Sequence, residues 1–469
     1  MLMAGSFSGI EIAFQGLLVQ RKALQVTAHN IANANTDGYS RQRVSMSSIP
    51  PHRVPEYTDP GGEVGNGVAA EFVERVRDRF LDLQMRNELG RLGRWERRET
   101  TLKQIETFIN EPSDEGLSSI FGRFWEALEA LSLDPENNAT RVVVIERGRA
   151  VAEAIRHLDS QLEELARNLD ETVYTVVSRI NSLATRISDL NHQVVKLLNT
   201  GGNPNDYLDR RDVLLDELSR LVSISLDERE TGAIVVMVGG TPLVSEHDAG
   251  ELKALPDPAN RDLAQVVWAD TGRPVEIQKG ELKGLLESRD EINGSIRTGL
   301  DELVATFVQE FNAVHSSGYD LNGQTGQDFF VPGSTASSIA LEEAVEKNPA
   351  QLAASLGGGP GDGGNALKLA GLKHTRIFQG GTATLDDFLR SFVGAVAVDT
   401  AEATRMLENQ TLLVRQIENQ RQSVAGVSLD EEMTNLVRYQ HAYNAAARVV
   451  TAVDEMLEVV INRMGLVGR

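Results

Sequence analysis

The sequence predicts a mainly α-helical protein with small β insertions, arranged as an elongated multi-domain rod. Apolar residues make up 41% of the 469 residues but aromatic residues only 5%, a composition typical of helices that pack through Leu, Val and Ala. Apolar residues recur at helical spacing near both ends and through most of the middle. Runs of β-branched residues are concentrated in 222–280. We therefore expect the N- and C-terminal helices to pair in a coiled-coil-like inner layer.

The first element is an amphipathic helix near the N-terminus. Its apolar positions alternate at steps of three and four residues, and this N-terminal seam consists of Phe7, Ile10, Phe14, Leu17, Arg21, Leu24, Ala28 and Ile31. Arg21 is polar, and a polar seam position can set register between helices. The helix should end within 33–38, where Asn, Asp and Gly cluster.

The middle of the chain divides into a helical domain and a smaller β-rich domain. Residues 51–79 are rich in Pro and Gly at their start and are predicted to be an extended connector. The helical middle domain is expected to comprise 80–221 and 281–425, with loops and some strand at 316–375. The β-rich outer domain is assigned to 222–280, with strands that include 234–238, 266–268 and 275–278.

The last element is a second amphipathic helix. Ser428, with Glu431 three positions later, is typical of a capping box at its start. Its C-terminal seam consists of Leu429, Met433, Leu436, Gln440, Tyr443, Ala447, Val450, Leu457, Ile461 and Met464. Residues 1–50 and 426–469 are therefore assigned to one inner domain. The pattern leaves open whether the two helices pair within one chain or between copies.

The negative charge of the chain is concentrated in its middle. The formal net charge is −22, whereas residues 1–50 carry +2 and residues 429–469 carry −2. An acidic chain repels nucleic acid, while near-neutral ends can pack against one another. No apolar run approaches the ~18 residues of a membrane span, and no cleaved secretory signal is readable. We expect no nucleic-acid partner, no membrane insertion and synthesis in the cytoplasm.

No residue set in the sequence indicates catalysis, a cofactor or a metal. The chain contains no cysteine, its eight histidines lack zinc-type spacing, and no G-x-S-x-G motif occurs. Gly359, Gly361 and Gly364 have G-x-G-x-x-G spacing, but without a preceding strand they predict a flexible loop. Residues 320–328 resemble a calcium loop, yet its glycine and glutamate are missing, which favours a turn at Asn322 and Gly323. Carboxylates are plentiful, so a glycosidase pair remains an unsupported alternative.

A motif after the first helix identifies a family resemblance. Residues 29–42 read HNIANANTDGYSRQ, and together with residues 8–17 they closely resemble the N-terminal signature of bacterial flagellar rod, hook and hook-associated proteins. Residues 110–117, 124–125, 318–323 with 329–330, and 435–443 are similar to the hook-associated members in particular. The motif residues carried over from the family are Asn30, Asn33, Asn35, Thr36, Gly38, Tyr39, Ser40 and Arg41.

The resemblance implies a structural, non-enzymatic adaptor between the flagellar hook and filament. It implies an extracellular protein that is made in the cytoplasm and leaves by flagellar type III export without a cleaved signal peptide. The implied partners are further copies of the chain, the hook protein, the next hook-associated protein and an export chaperone that covers the C-terminal seam. No cofactor is implied.

Two alternatives stay open at this point. The chain could be a hook or distal rod protein, or an adhesin or polysaccharide hydrolase whose function lies in 222–375.

We also expect residues 1 to about 40 and 430–469 to become ordered only on assembly, since one helix pairing covers only part of each seam.

Overall fold

The architecture is dominated by long helices. The computed structural model describes residues 2–50, 65–246 and 248–463, and describes side chains for 9–50, 65–246 and 248–459. In these ranges the helices are α1 (Leu2–Ala32), α2 (Arg79–Ile109), α3 (Leu117–Leu133), α4 (Asn138–Asn199), α5 (Asn205–Leu221), α6 (Glu281–Glu291), α7 (Arg297–Ser317), α8 (Glu343–Lys347), α9 (Gly364–Gly371), α10 (Leu385–Ala425) and α11 (Leu429–Arg463). The mainly α prediction is confirmed. None of these helices is both long enough and apolar enough to span a membrane.

The strands are short and form three small antiparallel sheets. They are β1 (Gln42–Ser48), β2 (Val68–Arg75), β3 (Ser225–Glu228), β4 (Ile234–Val238), β5 (Thr241–Val244), β6 (Leu252–Asp257) and β7 (Leu263–Trp268). β1 pairs with β2, β4 lies between β3 and β5, and β6 pairs with β7.

Helix α4 organises the middle of the molecule. At about 1.5 Å per residue, its 62 residues span roughly 93 Å. A stripe of apolar residues at three- and four-residue steps, from Val144 to Val194, is buried against α3, α5 and α6 and the strands β5, β6 and β7. Asn137 caps the start of the helix through the backbone N–H of Ala139. One continuous core therefore runs along the rod.

An aromatic cluster closes the end of the core near the start of α4. Its rings come from α3, α7 and the loop after α7, with centroid separations between 4.8 and 6.5 Å, and they are Phe121, Phe124, Trp125, Phe307, Phe311, Phe329 and Phe330. The loop is attached by Asn312, whose amide bonds to the backbone of Phe329 and Phe330.

Two strand predictions need correction. Residues 275–278 were predicted as a strand but form none; next to β7 there is an isolated bridge between Val267 and Pro274, and the Val275 N–H donates to the carbonyl of Val266. Conversely, β1 and β2 were not predicted, although β2 lies inside the stretch assigned to the connector. Their pairing joins residues up to 33 positions apart, from Gln42 to Arg75, and local composition does not reveal such a contact.

Candidate functional site at the chain termini

The two terminal helices pair within one chain. The face of α1 that packs in this pairing is small: Ala13, Val19, Ala23 and Val26 are buried, and a Cβ added at Gly16 would lie 3.8 Å from Ala446 Cβ on α11. We call this stripe, residues 13, 16, 19, 23 and 26, the small-residue seam. Because its side chains are short, the two helix backbones can approach closely.

The predicted N-terminal seam lies beside the small-residue seam. Phe14 is 52% exposed, and Arg21 and Ala28 are also exposed. The remaining described members are half-buried: Ile10, Leu17, Leu24 and Ile31. The side chain of Phe7 lies outside the described residues. The apolar face of α1 is thus wider than its intramolecular partner covers.

The C-terminal seam is likewise only partly covered. Leu429, Met433 and Gln440 are exposed. Five other members are half-buried: Leu436, Tyr443, Ala447, Val450 and Leu457. The side chains of Ile461 and Met464 lie outside the described residues. Further exposed apolar residues on α11 are Val437, Val449, Met456 and Val459. The paired helices therefore present uncovered apolar surface on both members.

Asn30, in the last turn of α1, is the centre of the family motif. Its Nδ2 donates to the carbonyl of Gln42 at 2.9 Å and to Glu432 Oε2 at 3.1 Å. Its Oδ1 accepts from the Gln42 N–H at 2.9 Å and from the Tyr39 hydroxyl at 2.8 Å. Asn30 is buried, so this one amide ties the end of α1 to β1 and to α11.

Arg41 forms the second tie to α11. Its Nε donates to Glu432 Oε1 and its Nη1 to Glu431 Oε2, each at 2.8 Å. The predicted capping box is therefore incomplete: Ser428 Oγ accepts from the Glu431 N–H at 3.5 Å, but the Glu431 side chain turns to Arg41. We call Asn30 and Arg41 with Glu431 and Glu432 the terminal clamp.

The other motif residues shape the turn between α1 and β1. Asn33 donates to the carbonyl of His29, and Thr36 donates to Asn33 Oδ1. Gly38 has φ +75°, and a Cβ there would lie 2.2 Å from Val213 Cγ2, so this position needs glycine. Asn35 is exposed. Burial, together with the charges of Asp206, Asp209 and Glu432, raises the pKa of Tyr39 well above its usual range, so its hydroxyl stays a donor.

Ser40 attaches the motif to the middle domain. Its backbone N–H and its hydroxyl both donate to Asp209 on α5, at 3.0 and 2.7 Å. Beside it, Gln42 Nε2 donates to Asp206 Oδ1, and Asn205 donates to the carbonyl of Val73 on β2. The motif is thus a three-way joint between α1, α11 and α5.

Four arginines and four aspartates form a buried cluster beneath this joint. Arg75 Nη1 lies 2.9 Å from Asp209 and 2.7 Å from Asp212, and Arg77 Nη1 lies 3.0 Å from Asp212. The ion cluster consists of Arg75, Arg77, Arg86 and Arg421 with Asp82, Asp209, Asp212 and Asp216. It joins the end of β2 to α2, α5 and α10, and its formal charges balance.

Asp212 shows how strongly the cluster is coupled. Burial by itself would raise the pKa of this carboxyl, but Arg77, Arg75 and Arg86 outweigh burial and hold the pKa well below its usual range. Asp212 therefore remains ionised, and removing one of its arginine partners would leave a buried charge poorly compensated.

The ion cluster was not predicted from the sequence, although the spacing of the aspartates in α5 indicates an acidic face. Asp206, Asp209, Asp212 and Asp216 follow at steps of three, three and four, which places all four on one face of α5. Leu214, Leu215 and Leu218 form its buried apolar face. An acidic stripe of this kind is usually solvated, so its arginine partners became evident only from the fold.

Two loops have the residue spacing of a phosphate-binding or calcium-binding loop. In each of them an aspartate of the loop itself accepts hydrogen bonds from the loop backbone. In the loop before α9, Asp362 accepts hydrogen bonds from the N–H groups of Gly357, Gly364 and Leu356, which lower its pKa to about 2. The N–H groups of Leu356, Gly357 and Gly364 are therefore already used and cannot bind a phosphate. Asp320 likewise accepts from the N–H groups of Asn322 and Gln324 in the predicted turn. Within the described residues, no three His, Asp or Glu side chains are placed to hold a metal.

Comparisons with known proteins identify the family. A model described as the flagellar hook-associated protein FlgK helical domain matches residues 102–330. Models described as flagella basal body rod protein and as flagellar basal body rod FlgEFG protein C-terminal match residues 10–39 and 418–464. The flagellar hook-associated protein 1 of Bacillus subtilis is 34% identical to this chain over the full length of both. The chain belongs to the flagellar hook-associated protein 1 family.

A more distant relative aligns over nearly the whole chain, and a solved structure shares its fold. The flagellar hook-associated protein 1 of Escherichia coli is 25% identical over 97% of this chain and 99% of that one. The flagellar hook junction protein FlgK of Burkholderia pseudomallei has a solved structure with a TM-score of 0.66 and 16% identity, covering 73% of this chain and all of that one, so the fold is shared. Hook-associated protein 1 is a structural flagellar protein, and the two rod-type matches coincide with α1 plus its turn and with α11.

Proposed function

We propose that this chain is the adaptor that connects the flagellar hook to the filament. This proposal is based on the uncovered apolar surface of the paired terminal helices, in a chain of the hook-associated protein 1 family. A single chain leaves Phe14 and Met433 in water, and contact with neighbouring subunits would bury them. We assign both terminal seams to contacts with further copies, the hook protein and the next hook-associated protein.

The layers of the assembly follow from the same proposal. Residues 1–50 and 426–469 form the inner layer around the axis, with 51–79 as the connector. Residues 80–221 and 281–425 form the helical layer outside it, and 222–280 form the outermost β-rich part. The near-neutral charge of the terminal regions suits close packing between copies, whereas the acidic remainder limits association elsewhere.

Deletion of the gene tests the adaptor role directly. We expect electron microscopy of the deletion strain to show hooks without filaments, and flagellin should accumulate in the medium. Expression of the chain from a plasmid should restore filaments. Normal filaments in the deletion strain would contradict the adaptor role, and shortened or missing hooks would instead favour a rod or hook protein.

We also propose that the chain is exported through the flagellar type III system to an extracellular site. Before export, the exposed residues of α11 are an aggregation hazard, and an export chaperone with a helical groove would cover them. Truncation after Ser428 should abolish chaperone binding in a pull-down while residues 80–425 keep their circular dichroism and thermal transition. Undiminished binding by the truncated chain would contradict this assignment of the C-terminal seam.

A further inference from the structure

Two sets of polar contacts attach the terminal helices. They differ in whether buried polar groups and charges keep their partners when that set breaks. The terminal clamp holds α11 to the motif, whereas Ser40, Arg75 and Arg77 hold the motif and the β1–β2 hairpin to the middle domain. Each set includes a buried carboxylate, since the side chains of Glu432 and Asp212 are 3% and 12% exposed, whereas Glu431, also on α11, is 62% exposed.

When α11 leaves, the polar groups of the joint that stay behind keep hydrogen-bond partners or become hydrated. Asn30 keeps its hydrogen bonds to both backbone groups of Gln42 and to the Tyr39 hydroxyl. Arg41 lies at the surface and would become hydrated, and so would Glu431 and Glu432. The apolar contacts that are lost are those of the small-residue seam, whose short side chains bury little area each, and those of the C-terminal seam, whose described members are at most half-buried even in the pair. No charge is left buried without a partner.

Departure of the hairpin from α5 has the opposite consequence. It breaks two bonds from Ser40 to Asp209 and the ion pairs of Arg75 and Arg77 with Asp209 and Asp212. Asp212 would retain only Arg86 of its three arginine partners. Breaking one side of a buried charge network is strongly unfavourable, because the remaining charges are poorly compensated until water enters.

We infer that α11 is the separable element of the free chain, and that the end of α1, the motif and the β1–β2 hairpin stay docked on the middle domain when α11 leaves. The terminal clamp then holds α11 in the free chain until α11 binds to a neighbouring copy or to a chaperone. The folded unit of the free chain accordingly begins at about residue 30, whereas the sequence predicts that residues 1 to about 40 become ordered only on assembly. This inference concerns the free chain and does not depend on the adaptor role.

Hydrogen exchange of the full-length free chain tests the order of opening. We expect amides of residues 435–459 to exchange about 100-fold faster than those of β1 and β2, which should match α5. Glu432→Gln removes one of the two carboxylates of the terminal clamp and should speed exchange in α11 about tenfold while leaving β1 unchanged. Asp212→Asn should speed exchange in β1 and β2 about tenfold.

The controls separate local effects from general destabilisation. Glu74→Gln breaks the exposed Arg43–Glu74 pair on the hairpin and should change neither rate. If Asp212→Asn does not fold, Arg75→Gln weakens the same attachment while Asp212 keeps Arg77 and Arg86. The inference is overturned if β1 and β2 exchange as fast as α11 in the unmodified chain, if α11 is as protected as α5, or if Glu432→Gln speeds β1 and α11 equally.

Discussion

At the scale of single residues, the same hydrogen-bonding arrangement recurs at four places where a helix holds a strand or loop. A helical asparagine pairs its amide with both backbone groups of one residue, as Asn30 does with Gln42 and Asn191 with Ile234. Asn181 pairs with Leu252 and Asn312 with Phe330 in the same way. An amide supplies one donor and one acceptor side by side, which is what a strand edge offers in return.

Asn30→Asp tests this arrangement at the terminal joint. The aspartate cannot donate to the carbonyl of Gln42, and it places a second carboxylate beside Glu432. We expect the local opening free energy at Gln42, measured by hydrogen exchange, to fall by about 2–3 kcal/mol. Asn35→Asp is the matched control, because Asn35 is an exposed motif residue, and it should change that value by less than about 0.5 kcal/mol.

His315 makes the aromatic end of the molecule sensitive to acid. The buried ring bonds through Nδ1 to the carbonyl of Gln327 and through Nε2 to the N–H of Ala353, so Nε2 must be an unprotonated acceptor. Burial lowers the pKa of His315 from 6.5 to about 4. Between these values the unfolded chain binds the proton and the native chain does not. The free energy of unfolding should therefore fall as pH falls through this window, by about 3 kcal/mol in all.

Fluorescence can follow this transition. Trp125 belongs to the same cluster, so urea unfolding can be monitored in a Trp95→Phe, Trp268→Phe background at pH 7 and pH 4.5. His315→Gln should unfold at lower urea at pH 7 but lose most of the pH dependence. An equal pH dependence in the variant would contradict the assignment to His315.

At the scale of secondary structure, close helix contacts depend on a few glycines. A Cβ at Gly93 of α2 would lie 2.3 Å from the carbonyl oxygen of Arg220, whereas a Cβ at Gly122 of α3 would meet nothing within 4 Å. Both glycines are inside helices, where alanine is intrinsically favoured by about 1 kcal/mol. Only the contact with a neighbouring element distinguishes them.

Paired alanine substitutions separate these two effects. Gly93→Ala should lower the free energy of unfolding by about 1–3 kcal/mol, because α2 and α5 must move apart. Gly122→Ala should raise it by about 0.5–1 kcal/mol. Urea unfolding monitored by circular dichroism at 222 nm measures both. Stabilisation by both substitutions would show that the approach of α2 to α5 can relax at no cost.

At the scale of the whole molecule, the terminal helices carry two kinds of apolar surface. The small-residue seam is buried where α1 meets α11 within the chain, while Phe14 is exposed and is assigned by our proposal to contacts with other subunits. A substitution on the outer surface should therefore affect assembly without affecting the fold of one chain.

Phe14→Asp tests this separation. The purified variant should keep the circular dichroism and thermal transition of the unmodified chain, yet complemented deletion cells should regain less than about a tenth of their swimming motility because a buried intersubunit contact would gain a charge. Phe80→Asp is the control, since Phe80 is more exposed than Phe14 but lies on the middle domain. Equal motility with both variants would show that the surface of α1 around Phe14 takes no part in assembly.

Local patterns in the sequence determined much of this protein. Helical spacing of apolar residues predicted helices in 80–221 and in 281–425 outside 316–375, where α2 to α7 and α10 lie, and the cluster of Asn, Asp and Gly after residue 32 placed the end of α1. The family motif was evident from residues 29–42 alone. These features depend on neighbours within one or two turns of chain, so reading them requires no knowledge of distant contacts.

Only the tertiary structure decided which of two adjacent stripes on α1 is buried within the chain, and which charges meet. The stripes through Ala13 and Phe14 share the same period, and it is the approach of α11 that selects the smaller one. Likewise Arg75 on β2 pairs with Asp212 on α5, and Arg421 on α10 pairs with Asp216 on α5, so these ion pairs depend on how the three elements pack. Periodicity fixes which residues share a face of a helix, whereas burial and charge pairing are set by long-range contacts that a local pattern does not contain.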